Sequence, residues 1–333
     1  MKTLFLPIVI FLFTVLGAVA EEREITVINP SDNAILAGTL AEPVNPRAAI
    51  VLATGSGQQD RDESAFGHKP FKTLSDALSD AGYAVLRMDD RGAGKSKGNM
   101  TNYTTDTYVG DIHSALCALD SIYPGIKKGV IGHSEGGLVA IMTGARDSLC
   151  DFIVTLAAPA WSGDSIIMSQ SRAMSVALTG KWDGEKTERE FLNIIKMNLP
   201  DYQTLPMLWA LFTAQLGDAL KFPGVQEQLD EQIKVAISPW YKRWVSINPE
   251  EFIESVSVPW LALNGDRDFQ VLSGNLQTIS SLNPSAKAIL LKDHNHMFQE
   301  TKTGMITDYE RDGQSPSSIA LETIITFLNS ISD

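Results

Sequence analysis

Cysteine, histidine and positive charge are scarce in this chain, and each scarcity removes a class of function. Only Cys117 and Cys150 occur among 333 residues, too few for a disulfide-built scaffold. A single bridge between them stays open, beside the alternative that both are small buried apolar residues. No full set of Cys and His ligands stands at zinc-site spacing around them, so no metal site is expected. Lys and Arg number 27 against 40 Asp and Glu, giving a net charge of −13 and a pI near 4.8. So acidic a chain, with no basic run, is a poor grip for phosphate backbones, and nucleic acid drops out as a partner.

Long apolar runs are missing as well, except at the start. Met1-Lys2 leads into an apolar stretch from Leu4 to Leu16, then Gly17-Ala18-Val19-Ala20 and the acidic Glu21-Glu22. A basic start, a short apolar centre and a small-x-small end make residues 1–20 read as a secretory signal peptide cleaved after Ala20. An uncleaved anchor is the competing reading, but the run falls short of the about 20 residues a bilayer span needs. The expectation is an exported protein, periplasmic or secreted, with no stable membrane insertion after cleavage.

The chain as a whole has ordinary globular composition, with 44% hydrophobic and 20% charged residues, and residues 21–333 carry its folded part. It alternates between strands and helices. Arg23–Ile28 and Ala34–Leu40 form an antiparallel opening pair. Ala48–Ala53 is a continuous apolar run that ends in Thr54-Gly55-Ser56-Gly57, the signature of a buried strand entering a glycine-rich turn. Helical spacing over 71–81 and 105–123, strands at 83–88, 128–132 and 151–157, and a helix at 135–146 follow. Buried strands separated by helices imply a parallel sheet covered on both faces. From 165 to 252 only helical patterning appears, with Trp182, Trp209, Trp240 and Trp244. Alternation then returns with a strand at 258–264, a helix at 276–282, a strand at 286–291 and a last helix that starts at Ser315-Pro316 and runs to Leu328. The middle block reads as a helical insertion in one domain.

Gly132-His133-Ser134-Glu135-Gly136 is a G-x-S-x-G with a strand before it and a helix after it. At such a turn the serine is pushed clear of the sheet, and the Glu135 N–H at the helix start is placed to stabilise an oxyanion. A serine hydroxyl needs a base, and a histidine base needs an orienting carboxylate. Of His68, His113, His133, His294 and His296, only His294 and His296 follow a strand at the end where such sheets place their ligands. The carboxylate belongs at an earlier strand end, where Asp266 and Asp268 follow the strand at 258–264. Spacing leaves both pairs open. An HxH pair could bind metal, but no third ligand stands at a fitting distance.

The runs Thr54–Asp62 (TGSGQQDRD), Asp89–Ser96 (DDRGAGKS), Gly132–Gly137 (GHSEGG), Gly265–Val271 (GDRDFQV) and Asn295–Gln299 (NHMFQ) resemble those of the α/β-hydrolase superfamily. The branch is that of bacterial serine esterases related to dienelactone hydrolases and prolyl-oligopeptidase-type catalytic domains. The resemblance spans the chain except its middle block. It implies a mostly parallel sheet of about eight strands with helices on both faces and a helical lid over about 165–252. It assigns the acid to Asp268 through G-x-x-D-x-x-V and the base to His296 after Asn295, with Asp266 and His294 as fallbacks. It also implies an oxyanion hole of the Glu135 N–H and that of Ser56 or Gly57, no cofactor, and a small-molecule ester as substrate. Peptide, amide or thioester cleavage by the same residues is the alternative, and a catalytically silent binding protein is another. Gly94-Lys95-Ser96 imitates a phosphate loop, but Asp89 stands where that loop needs glycine. The charge run Asp60–Glu63 follows the oxyanion turn, and a place at the rim of the site, paired with Arg91, is open to it.

Overall fold

The computed structural model describes residues 20–310 and 314–332, so the expected signal peptide lies outside the described residues apart from Ala20. The chain opens with β1 (Glu21–Asn29), β2 (Ala34–Glu42) and β3 (Ala48–Ala53), then α1 (Pro70–Asp80), β4 (Ala84–Met88), α2 (Thr105–Ile122), β5 (Lys127–His133), α3 (Glu135–Arg146) and β6 (Phe152–Leu156). Six helices follow without a strand: α4 (Gly163–Thr179), α5 (Glu185–Lys196), α6 (Asp201–Leu216), α7 (Val225–Ala236), α8 (Pro239–Ser246) and α9 (Glu250–Ile253). The last segment holds β7 (Trp260–Gly265), α10 (Gly274–Leu282), β8 (Lys287–Leu291) and α11 (Ser318–Ser332).

The eight strands form one sheet in the order β1-β2-β4-β3-β5-β6-β7-β8. β1 and β2 pair antiparallel, β2 meets β4 antiparallel, and every pairing from β4 through β8 is parallel. The expected mostly parallel sheet with an antiparallel opening is therefore present. β3 is apolar throughout because it is buried on both faces. Its Ala49, Val51 and Ala53 pack into the layer that holds α2 and α3, while Ile50 and Leu52 face Phe71, Leu74 and Leu78 of α1 and Ile324 and Leu328 of α11.

One expected boundary moves. Ser315-Pro316 precedes the last helix instead of opening it: Ser315 Oγ donates to the Met297 carbonyl, and Ser317 Oγ accepts from the Ala320 N–H at the helix start. A serine capping the first turn explains the later beginning. The two cysteines are not joined, which settles the open disulfide question: Cys150 is buried with its thiol on the Phe152 carbonyl, and Cys117 contacts His113 one helical turn away.

Candidate active site

Three strand ends meet at one rim of the sheet. Ser134 follows β5, Asp268 lies three residues past β7, and His296 lies five past β8.

The serine sits in a backbone setting that L-residues rarely adopt, φ 53° and ψ −119°. Neighbouring bonds hold it there: its N–H donates to the Leu156 carbonyl at 2.9 Å, and its carbonyl accepts from the Gly137 N–H at 2.9 Å. The turn is tight enough to require glycine on both sides. A Cβ on Gly132 would stand 1.9 Å from the Gly136 carbonyl oxygen, and one on Gly136 would stand 2.0 Å from that of Ala53. α3 begins directly after the serine, so the Glu135 N–H lies in the first turn, at the positive end of the helix dipole.

Asp268 and His296 are both buried, and Asp268 Oδ2 lies 2.7 Å from His296 Nδ1. The other carboxylate oxygen accepts the N–H groups of Gln270 (2.7 Å) and Val271 (2.9 Å). Those two bonds fix the carboxylate and explain the G-x-x-D-x-x-V spacing in local terms. The fallbacks are engaged elsewhere. Asp266 is exposed and accepts the Asp293 N–H, while His294 is buried between the Lys292 carbonyl and Ser317 Oγ, both at 2.7 Å.

Ser134 and His296 open on one cavity of about 350 Å³, walled mainly by apolar and aromatic side chains. Phe71 and Leu74 come from α1, Ile166 from α4, Trp240 and Trp244 from α8, and Phe298 from the histidine loop. The glycine-rich turn after β3 enters the same cavity through Gly55 and Ser56. A Cβ on Gly55 would lie 3.4 Å from that of Ser134. Of the two sequence candidates, Ser56 lines the cavity that Ser134 opens on, and Gly57 lines a neighbouring cavity with Gln58 and Met100.

Glu135 does more than start a helix. Its side chain is buried and accepts from Thr105 Oγ1 (2.7 Å) and from the indole N–H of Trp240 (2.9 Å). Burial raises its pKa, against the pull of the hydrogen bonds from Thr105, Trp240 and Ser56. Asp90, behind the glycine-rich turn after β3, is pushed up to about 8, chiefly by burial, while it accepts from Thr54 Oγ1 and the Gln59 N–H.

The charge run after the turn does not pair with Arg91. That guanidinium is spent on Asp111 and Asp32. Arg61 instead grips Asp89, Asp62 pairs with Arg87, and Glu63 reaches His133 at 2.9 Å. Glu63, His133 and Trp240 are the site neighbours that sequence reasoning left unassigned. The position of Glu63 beside the glycine-rich turn and of His133 inside G-x-S-x-G were the available signals. Among the described residues no group of His, Cys, Asp or Glu forms a metal-binding cluster.

The model of the serine aminopeptidase S33 family matches residues 45–184, from just before β3 into the helical block. An esterase of Pyrococcus furiosus superposes with a TM-score of 0.60 at 18% identity, covering 94% of this chain and 92% of its own. The chain has the α/β-hydrolase fold. Esterase EstD of Thermotoga maritima is 24% identical over 283 residues. The match takes in 84% of this chain but only 60% of EstD's own length. A proline iminopeptidase of Mycobacterium smegmatis shares the fold with a TM-score of 0.57 at 14% identity.

Proposed function

We propose that this α/β-hydrolase is an exported serine hydrolase of carboxylic esters. Ser134 attacks the acyl carbon, His296 takes and returns the proton, and Asp268 holds the imidazole with its proton on Nδ1, so that Nε2 accepts, and stabilises its charged form. The N–H groups of Glu135 and Ser56 stabilise the oxyanion, and water then cleaves the acyl-enzyme. No step calls for a cofactor. The apolar cavity receives the acyl group, with the block of α4 to α9 as its lid. Export rests on the pattern of residues 1–20.

The observation that carries this reading is a strained serine sharing one cavity with a histidine bonded to a buried aspartate. Relatives named as esterases, such as EstD, support the ester substrate. The S33 family description and the iminopeptidase neighbour keep amide cleavage as the second reading. Two experiments test both. A fluorophosphonate probe should label the full chain at Ser134, and Ser134→Ala should abolish labelling and lower kcat by about 10⁴-fold or more. Retained turnover in that variant rejects the nucleophile, and an inert wild type marks a silent binding protein. A panel of p-nitrophenyl acyl esters beside aminoacyl anilides then separates the substrates, and faster anilide turnover overturns the ester assignment.

A further inference from the structure

His133 is placed where both of its ring nitrogens meet acceptors. Nδ1 lies 2.9 Å from Glu63 Oε1, and Nε2 lies 3.0 Å from the backbone carbonyl oxygen of His296. A carbonyl only accepts, so Nε2 carries a proton. Glu63 Oε1 already accepts the Gly55 N–H at 2.6 Å, and an ionised carboxylate there takes a second N–H from Nδ1. A histidine that donates from both nitrogens is an imidazolium. Glu63 is buried, and its Oε2 has no partner among the described residues, so its charge is matched by that imidazolium.

The bonds join three loops. Gly55 belongs to the oxyanion turn, residue 133 is bonded to the proposed nucleophile, and the carbonyl belongs to the proposed general base. Glu63 reaches this position through a left-handed backbone, φ 51°, a strained setting that persists only when its surroundings demand it. The groups facing the His133 ring are Glu63 from the loop after β3, Asp268 from the loop after β7 and the His296 ring, 4.7 Å away between centroids. Phe298 adds an apolar edge at 6.4 Å. Burial works against the charged ring, yet Glu63, the His296 carbonyl and Asp268 outweigh it and raise the pKa above its ordinary value.

We propose that Glu63 and His133 form a buried ion pair that positions the oxyanion turn and the His296 loop about Ser134. Both are positioning residues, and the inference rests on the serine hydrolase reading for its kinetic consequences. The pair sets alignment and leaves the acyl cavity in place, so its loss falls on kcat while KM stays within about twofold. Misplacement by about 1 Å near the chemistry lowers turnover up to about 10²-fold, and that is the expected size for Glu63→Gln. Because the two residues act as one unit, Glu63→Gln combined with His133→Gln lowers kcat no further than either alone. The alkaline side of the wild-type kcat profile should carry a limb from deprotonation of His133, absent in His133→Gln.

The decisive measurement needs no turnover. Nitrogen NMR of the full chain labelled in histidine should find both ring nitrogens of His133 protonated at pH 7, and a neutral tautomer there overturns the ion pair. Additive losses in the double variant, or an alkaline limb untouched by His133→Gln, overturn the positioning role. If wild type neither labels with fluorophosphonate nor turns over, the hydrolase reading fails, and the NMR result still decides whether the pair is charged.

Discussion

α3 buries ten of its twelve residues, whereas α6 buries two of sixteen and α4 two of seventeen. The two regions meet at the cavity but are held by different means. Around α3 the backbone itself is packed against backbone, with glycines at the contacts and strands on both sides. The block of α4 to α9 closes over the cavity with half-buried aromatics and polar links: Trp240 to Glu135, Arg243 to Asp106, and Lys196 to Asp164. Sparse burial means low local opening free energy. The frame fixes where Ser134, Asp268 and His296 stand, and the block over it is held by fewer buried residues.

Gly136→Ala should break the frame most severely. Its methyl group has nowhere to go but into the Ala53 carbonyl, so thermal or urea unfolding should register a loss of about 3 kcal/mol or more. A variant as stable as wild type would mean that the turn yields, and the contrast between the regions would weaken. Asp90 offers a pH test of the same frame. Its pKa in the fold, about 8, is raised from 3.8, chiefly by burial. The folded state therefore binds more protons between those values, and stability should fall as pH rises from about 4 to about 8. Asp90→Asn should flatten that slope in a series of melting curves.

On the other side of the cavity, Trp240→Phe leaves Glu135 without its indole donor. A loss of about 1–2 kcal/mol is expected, with a changed KM for long acyl esters and little change for acetate. The smallest effect belongs to Arg243→Ala. Its ion pair with Asp106 is 36% and 44% exposed, and such pairs contribute about 1 kcal/mol or less. An unfolding loss as large as that of Gly136→Ala would erase the distinction between the regions.

The frame was also the part most legible in the sequence. Apolar strands, the glycines around Ser134 and the Gly265–Val271 spacing are local patterns, and local patterns survive in one dimension. Spacing alone left Asp266 against Asp268 and His294 against His296 open, and the resemblance chose Asp268 and His296, the pair the structure brings within 2.7 Å. The partners of Asp60–Glu63 were not legible, because Arg61, Asp62 and Glu63 reach residues 28, 25 and 70 positions away. Ordinary charge complementarity suggested Arg91, but burial had already committed it to Asp32 and Asp111. Trp240 read as one more apolar member of the helical block because its indole N–H finds its acceptor across 105 residues.

That indole bond ties the mouth of the cavity to the residue next to Ser134. Lifting α8 would take the indole donor away and leave the Glu135 carboxyl group to Thr105 and Ser56 alone, so the side chain beside Ser134 answers to the position of a helix 105 residues further along the chain.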